Sequence, residues 1–416
     1  MIATRDAWRY GLMGLPLAFV ALPLYVQLPA HYATEFGVPL ATLGTLLLVT
    51  RCADALIDPW IGRWTDRLHR SSPGRLLGTV ALAALALASG FALLFLPPVR
   101  GDALVAWAAM ALMLTYLAYS AIGIAHQSWG ARLAGDEVQR ARVVGWREGF
   151  GLLGVLLASV LPTFVGWGWT SAALAAALAL AWFAWRSTPK PEDAPAVHSG
   201  VPFSQWLPFR HRAFRALLAV FLVNGIASAI PATLLIFFIR DRLQAPDSAQ
   251  ALFLGVYFLC AAASMPLWLA AVRRIGLVRS WRAGMMLAVA AFVGASTLGA
   301  GDTTAFALVC MASGFALGSD LALPGAILAG VVRDAGEQGR SEGLFFGWWN
   351  FATKLNLALA AGVALPLLAL GGYTPGARDA AALSALTAAY CLLPCALKLC
   401  AALLLHLSLG RTGDSP

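Results

Sequence analysis

Charge is the first thing this sequence lacks. Only 12% of its 416 residues are Asp, Glu, Lys or Arg, whereas a soluble domain carries about 25%. With 60% hydrophobic residues and a mean hydropathy of +0.75, the chain excludes a water-soluble fold and reads as an integral membrane protein. Metal-binding patterns are missing too. The six cysteines (Cys52, Cys260, Cys310, Cys391, Cys395, Cys400) all fall in apolar runs with no histidine at ligand spacing, and read as structural thiols. The six histidines, His31, His69, His126, His198, His211 and His406, are scattered. There is no Gly-x-x-x-x-Gly-Lys-Ser/Thr, hence no built-in ATPase, no His-Glu-x-x-His, and no Gly-x-Ser-x-Gly on a strand-turn-helix. With no nucleophile–base pair, the chain is not read as an enzyme. No cofactor is expected.

What is abundant is apolar sequence in long runs. Twelve are long enough to cross a bilayer, near 10–34, 39–64, 75–97, 102–127, 143–166, 168–186, 213–239, 249–272, 281–300, 303–331, 342–370 and 379–408. The first lacks a small-x-small cleavage site and is read as a retained helix. The longest polar stretch, Arg186 to Arg215, separates six runs from six. Its Ser-Thr-Pro-Lys-Pro-Glu-Asp-Ala-Pro segment has no packing pattern and reads as a linker. Its end, Phe203 to Phe214, mixes aromatic and basic residues in the manner of an interfacial segment. The expected organisation is an all-α membrane protein of twelve helices, with halves at 1–186 and 213–416 joined by a linker at 187–212.

The net charge of +9 is explained by where the basic residues fall. When loops are assigned alternately to the two sides, one side takes 22 of the 29 Lys and Arg residues and the other takes Arg100, Arg240, Arg242 and Arg378. The rich side is expected to be cytoplasmic, with both termini and the linker. No nucleic-acid partner is needed to account for the charge. Arg51, Lys354 and Lys398 remain at membrane depth.

The stretch Arg51-Cys52-Ala53-Asp54-Ala55-Leu56-Ile57-Asp58-Pro59-Trp60 concentrates charge where it is costly. Asp54 and Asp58 are four residues apart and share one helical face with Arg51. Carboxylate oxygens suit Na⁺ or Li⁺, and a carboxyl in low dielectric can instead hold a proton. The bland alternative is that Asp58 caps or pairs with a neighbouring arginine. Arg51 either counters the acids or restrains a helix contact. A faint repeat places Pro59 eight residues before Arg67 and Pro266 eight before Arg274. Asp54 and Asp58 then fall opposite Ala261 and Met265, so the acids belong to the first half alone. Duplicated six-helix halves are an arrangement of membrane transporters.

Other polar residues inside apolar runs are candidates of lower weight. Lys354 lies well inside the eleventh run, as a substrate donor or counter-charge if it is not snorkelling, with Trp349 and Asn350 on nearby turns. Trp348 faces either the cavity or lipid. Asp320 in the tenth run would pair with Lys354, gate, or simply secure helix packing. Ser120 offers a neutral oxygen to a cation. His126 reads as structural, and Tyr25, Gln27 and Asn224 are possible cavity groups. Asp66 and Arg67, with Arg63 and Arg70, close the second run in Gly62-Arg63-Trp64-Thr65-Asp66-Arg67. That stretch resembles the G-x-x-x-D-R loop of major facilitators, and a charge-pair latch is expected there.

Asp54-Ala55-Leu56-Ile57-Asp58-Pro59 resembles the D-A-x-x-D-P signature of the glycoside–pentoside–hexuronide:cation symporters, a branch of the major facilitators. Asp136-Glu137-Val138-Gln139-Arg140 with Arg147 is similar to that family's loop between spans 4 and 5. Gly339-Arg340-Ser341-Glu342-Gly343 resembles its G-x-R-x-E-G, and the spacing from Glu342 to Lys354 agrees. The resemblance implies a coupling Na⁺, Li⁺ or H⁺ at Asp54, Asp58 and Ser120, and a sugar cavity lined by Tyr25, Tyr119, Arg147 and Lys354. Two positions depart from it. Where the family's galactoside binders carry acids in spans 1 and 4, this chain has Ala18 and Gly123, and Gln127 stands where a stacking Trp would be.

The sequence is therefore read as a cation-coupled secondary transporter of a glycoside or similar small solute, working by alternating access. The alternatives are transport of a lipid-like or amphipathic anion steered by Arg147 and Lys354, or a non-transporting membrane sensor or assembly factor. The expected partners are a small-molecule substrate and the lipid bilayer. The expected location is the cell (inner) membrane, and the expected state a monomer.

Overall fold

The computed structural model describes residues 3–101, 103–133, 135–191, 204–374 and 376–409. Among them the secondary structure is helical, with no strand. The helices are α1 (Thr4–Gly11), α2 (Gly14–Leu22), α3 (Leu28–Phe36), α4 (Leu40–Ser71), α5 (Pro73–Phe95), α6 (Ala103–Leu133), α7 (Glu137–Arg186), α8 (Arg212–Phe237), α9 (Asp247–Ala295), α10 (Thr303–Asp334), α11 (Glu342–Leu370), α12 (Ala380–Thr387) and α13 (Leu393–Leu409). Single π turns at Pro23–Gln27 and Ala388–Leu392 join α2 to α3 and α12 to α13, and a third at Phe238–Arg242 ends α8.

α7 and α9 each cover two of the apolar runs, and each is broken where those runs divide. Gly166 in α7 has φ +74° and Gly276 in α9 has φ +79°, and both backbones leave the helical region there. Side chains disfavour that left-handed conformation, so glycine is what lets the chain turn without a loop. Proline sits inside α4, α7, α8, α9, α10 and α11, which membrane helices tolerate because neighbours take up the freed carbonyls. Helix starts are secured locally. Ser72 accepts from the Gly74 amide at 3.2 Å ahead of Pro73. The Asp136 carboxylate accepts from the Gln139 amide at 2.7 Å, which holds that carboxyl below its usual range.

The chain forms two compact units. The first comprises Met1–Pro208 and Val332–Phe351. Its core is rich in large rings, with Tyr10, Phe91, Phe95, Trp129 and Trp185 fully buried. α2 lies against α7 through small residues: a methyl added at Gly14 would meet the Arg147 carbonyl oxygen at 2.1 Å, and one at Gly154 would meet that of Leu15 at 2.1 Å. Such close backbone approach stands in for the hydrophobic drive that lipid removes. The start of α11 belongs to this unit because it lies on α4: a methyl at Gly62 would meet the Gly343 carbonyl oxygen at 2.1 Å, and one at Gly347 that of Asp58 at 2.6 Å. Trp348 donates to the Gln205 carbonyl at 3.0 Å and packs on Trp206, so its indole is engaged by protein. In the interfacial segment, Leu207–Arg210 forms a 3₁₀ turn, while Phe203 lies outside the described residues.

The second unit comprises Phe209–Val331 and Ala352–Pro416. Here α13 packs on α8 and α9, over a core that includes Phe238, Phe253, Phe306 and Tyr390.

Candidate functional site

α4 is amphipathic in an inverted sense. Leu48, Leu56 and Trp60 are exposed on one side, whereas Asp54 and Asp58 are 2% and 0% exposed. In a bilayer the exposed side suits lipid and the acids face protein. Ser120 on α6 donates its hydroxyl to Asp54 Oδ1 at 2.9 Å, so the structure brings together two of the three residues expected at the cation site and buries the third on the same helix. Arg51 is half-buried, and its charge lies beside Tyr116 of α6, as does that of Asp54.

Next to this pair lies a cavity of about 120 Å³ walled by α2, α6, α7 and the start of α11. Tyr119, Ser120, Gln127, Arg147, Glu148 and Asn350 supply its polar groups, and Ala18, Gly123 and Leu17 its apolar ones. Arg147 donates from Nε to Glu148 Oε1 at 2.9 Å and also from Nη2 to the same oxygen. Asn350 donates to Gln127 Oε1 at 3.3 Å and to the Phe346 carbonyl at 2.9 Å. Tyr119 lies within the field of Asp54 and of the Arg147–Glu148 pair. His126 borders the cavity but is spent on packing: its ring stacks on Tyr10 with centroids 3.9 Å apart, and Nε2 bonds the Tyr10 carbonyl at 2.8 Å.

The other expected residues fall elsewhere. Trp349 is buried, and its neighbour Asn350 faces the cavity. Gln27 donates to the Ala158 carbonyl at 3.4 Å. The Tyr25 side chain lies outside the described residues, although its backbone sits in the first π turn. Lys354 belongs to the second unit and is half-buried. Asp66 is in a charge network, but its partner is Arg132 at 3.3 Å, and Arg67 is exposed. Arg132 also reaches Glu342 Oε2 at 2.8 Å. The Gly343 and Leu344 amides donate to Asp66 at 2.7 and 2.8 Å, so Asp66 caps the start of α11.

Asp320 is paired in the second unit with Lys398 of α13, at 2.8 Å. Its Oδ1 accepts from Asn224 at 3.0 Å and from the Trp281 indole at 2.8 Å, and its Oδ2 also accepts from Ser228 at 3.3 Å. Lys398 donates further to Asn224 and Ser228, at 2.9 and 3.0 Å. Asn224, expected as a cavity group, is buried in this cluster. Depth in an apolar run had flagged Lys398 without assigning it a partner. Glu148 and Arg132 were passed over, although Glu148 carried a signal: it is an acid inside an apolar run, next to an arginine already singled out.

Relatives agree with this architecture. The sequence profile of the family described as MFS/sugar transport protein matches residues 9–408. The chain is 26% identical over 162 residues to the inner membrane symporter YicJ of Escherichia coli, a match spanning 39% of this chain and 35% of that protein. It is 25% identical to the isoprimeverose transporter of Lactiplantibacillus pentosus over 95% of this chain and 86% of that one. In fold it is similar to a bacterial homologue of the iron transporter ferroportin (TM-score 0.75, 14% identity, 99% of this chain and 100% of that one). It is also similar to the E. coli fucose:proton symporter (TM-score 0.68, 13% identity, 96% and 97%). The match over nearly the whole length decides the matter: the chain belongs to the MFS/sugar transport protein family, and is a membrane-embedded transporter of the major facilitator fold, not an enzyme.

Proposed function

We propose that this protein is a cation-coupled symporter of a sugar, glycoside or similar small solute, with Na⁺, Li⁺ or H⁺ taken at Asp54, Asp58 and Ser120. The observation that carries this reading is the buried acid pair beside a polar cavity, with the Ser120 hydroxyl on Asp54 at 2.9 Å. Two carboxylates one turn apart repel when both are ionised, and a bound cation offsets that repulsion. The relative named as an isoprimeverose transporter supports the substrate class, and the one named as an inner membrane symporter supports coupling. Tyr119, Arg147 and Asn350 would meet the solute in the first-unit cavity, and Lys354 is kept as a substrate-side candidate. Trp349 and Tyr25 keep their places as substrate-side candidates. Asp66 with Arg132, and Asp320 with Lys398, would hold helix ends and helix faces through the transport cycle.

In this reading the protein acts as a monomer in the cell (inner) membrane with both termini cytoplasmic, as the clustering of basic residues in alternate loops supports. The amphipathic-anion alternative loses one of its two steering charges, because Arg147 is paired with Glu148.

The test is uptake by proteoliposomes under an imposed Na⁺, Li⁺ or proton gradient. Neutral glycosides should accumulate with the wild-type protein, and Asp54→Asn or Asp58→Asn should lower accumulation by about tenfold or more, the scale of a lost charge-assisted interaction. Absence of gradient-driven uptake across a broad sugar panel, with both variants behaving as wild type, sinks the symport reading.

A further inference from the structure

We propose that Glu148 sets the charge selectivity of the first-unit cavity: it cancels Arg147 and presents a carboxylate to ligand hydroxyls, so that the site takes a neutral polyhydroxylated solute and refuses an anionic one. This rests on reading the cavity as the substrate site.

Three observations carry it. Glu148 is the one carboxylate among the described residues that line the cavity, and Arg147 is the one guanidinium or ammonium there. The polar wall is thus net neutral once the two pair. Both bonds that Arg147 gives Glu148 fall on Oε1, and Arg147 also bonds the Tyr10 side chain. Glu148 is also the more open partner, its side chain 24% exposed against 16% for Arg147. The acid rather than the guanidinium is presented to an incoming group.

Chemistry then divides the ligands. A sugar hydroxyl can donate to the carboxylate and accept from the guanidinium, so a diol satisfies the pair without separating it. A carboxylate or phosphate on the ligand can only accept. To use Arg147 it must displace Glu148 or lie against it, and like charges at that distance repel in a site of low dielectric. Tyr119, Gln127 and Asn350 can each donate and accept, which again suits hydroxyls. Ala18 and Gly123 add no further charge to this wall.

The experiment compares a neutral nitrophenyl glucoside with the matching nitrophenyl glucuronide, which differs by one carboxylate. Equilibrium binding to purified full-length wild type and Glu148→Gln would be followed by tryptophan fluorescence. Thermal stabilisation by Na⁺, Li⁺ or low pH would be recorded in parallel as a report on the Asp54/Asp58 site. Wild type should bind the glucoside at least about tenfold more tightly than the glucuronide. Glu148→Gln should weaken the glucoside and strengthen the glucuronide, narrowing or reversing that ratio. A wild-type protein that binds both equally, or a variant with an unchanged ratio, overturns the assignment of Glu148 while leaving the glycoside reading in place. A wild type that is stabilised by cation but binds neither probe overturns the glycoside reading and this inference with it. If Glu148→Gln does not yield monodisperse protein, the wild-type ratio alone decides.

Discussion

At the scale of single residues, Lys398 is a buried charge outside the cavity whose replacement has a definite expected outcome. It is 3% exposed and is the ammonium to which Asp320 is tied, while Asn224, Ser228 and Trp281 fill the remaining bonding positions of that carboxylate. Taking away one partner of a buried pair leaves the other charge uncompensated, at a cost of roughly 3–5 kcal/mol. Lys398→Met should therefore lower thermal stability sharply, by about that amount. Removing both charges with Lys398→Met and Asp320→Leu should recover most of the loss. If the double variant melts no higher than the single one, the cluster matters for something other than charge balance. Ser120 is a gentler case. Ser120→Ala removes the hydroxyl that donates to Asp54 at 2.9 Å, and should raise the cation concentration needed for half-maximal thermal stabilisation several-fold, on the order of 1 kcal/mol. None of this cluster was readable as a cluster in the chain. Helical periodicity says which face a residue occupies, and depth in an apolar run says that a charge needs a partner. Neither says that Lys398 meets an acid 78 positions earlier.

At the scale of elements, the cavity wall depends on how closely α2 approaches α7. Glycine makes that approach possible, since a methyl at Gly14 would come within 2.1 Å of the Arg147 carbonyl oxygen and 3.2 Å of its side chain. Gly14→Val should force α2 and α7 apart and displace the Arg147–Glu148 pair. Its expected signature is a loss of glycoside binding with the cation-dependent rise in melting temperature largely kept, because Asp54 and Asp58 stand on α4. A loss of both together would mean that the whole unit had failed to pack. The apolar runs placed both helices in the membrane but did not pair them. The same holds for the latch at the end of α4. The Gly62-to-Arg67 motif pointed to Asp66, yet the cation that pairs with it, Arg132, comes from α6, and the backbone amides that it caps come from α11. A motif marks the residue under constraint and leaves its neighbours to the tertiary fold.

At the scale of the whole molecule, the apolar runs carried most of the architecture. Each of the twelve coincides with helix among the described residues, because in lipid the backbone has to satisfy its own hydrogen bonds. The backbone breaks at Gly166 and Gly276 fall where the apolar runs divide; the break at Gly276 is announced by the basic residues around it, whereas at Gly166 only Trp167 separates one run from the next. The proposed symport implies a coupling between two ligands. If the cation at Asp54/Asp58 favours the state that binds glycoside, the glycoside must favour the cation by the same factor, as linkage requires. Measured on purified protein, saturating Na⁺, Li⁺ or H⁺ should tighten binding of the nitrophenyl glucoside by a factor within about 5–150, and saturating glucoside should tighten the same cation by an equal factor. Asp58→Asn should bring both factors towards one. Unequal factors in the wild type would mean that the two ligands are not reporting on one equilibrium. Factors of one, with each ligand still binding, would separate the acid pair from the cavity beside it and leave a uniporter on a symporter's scaffold.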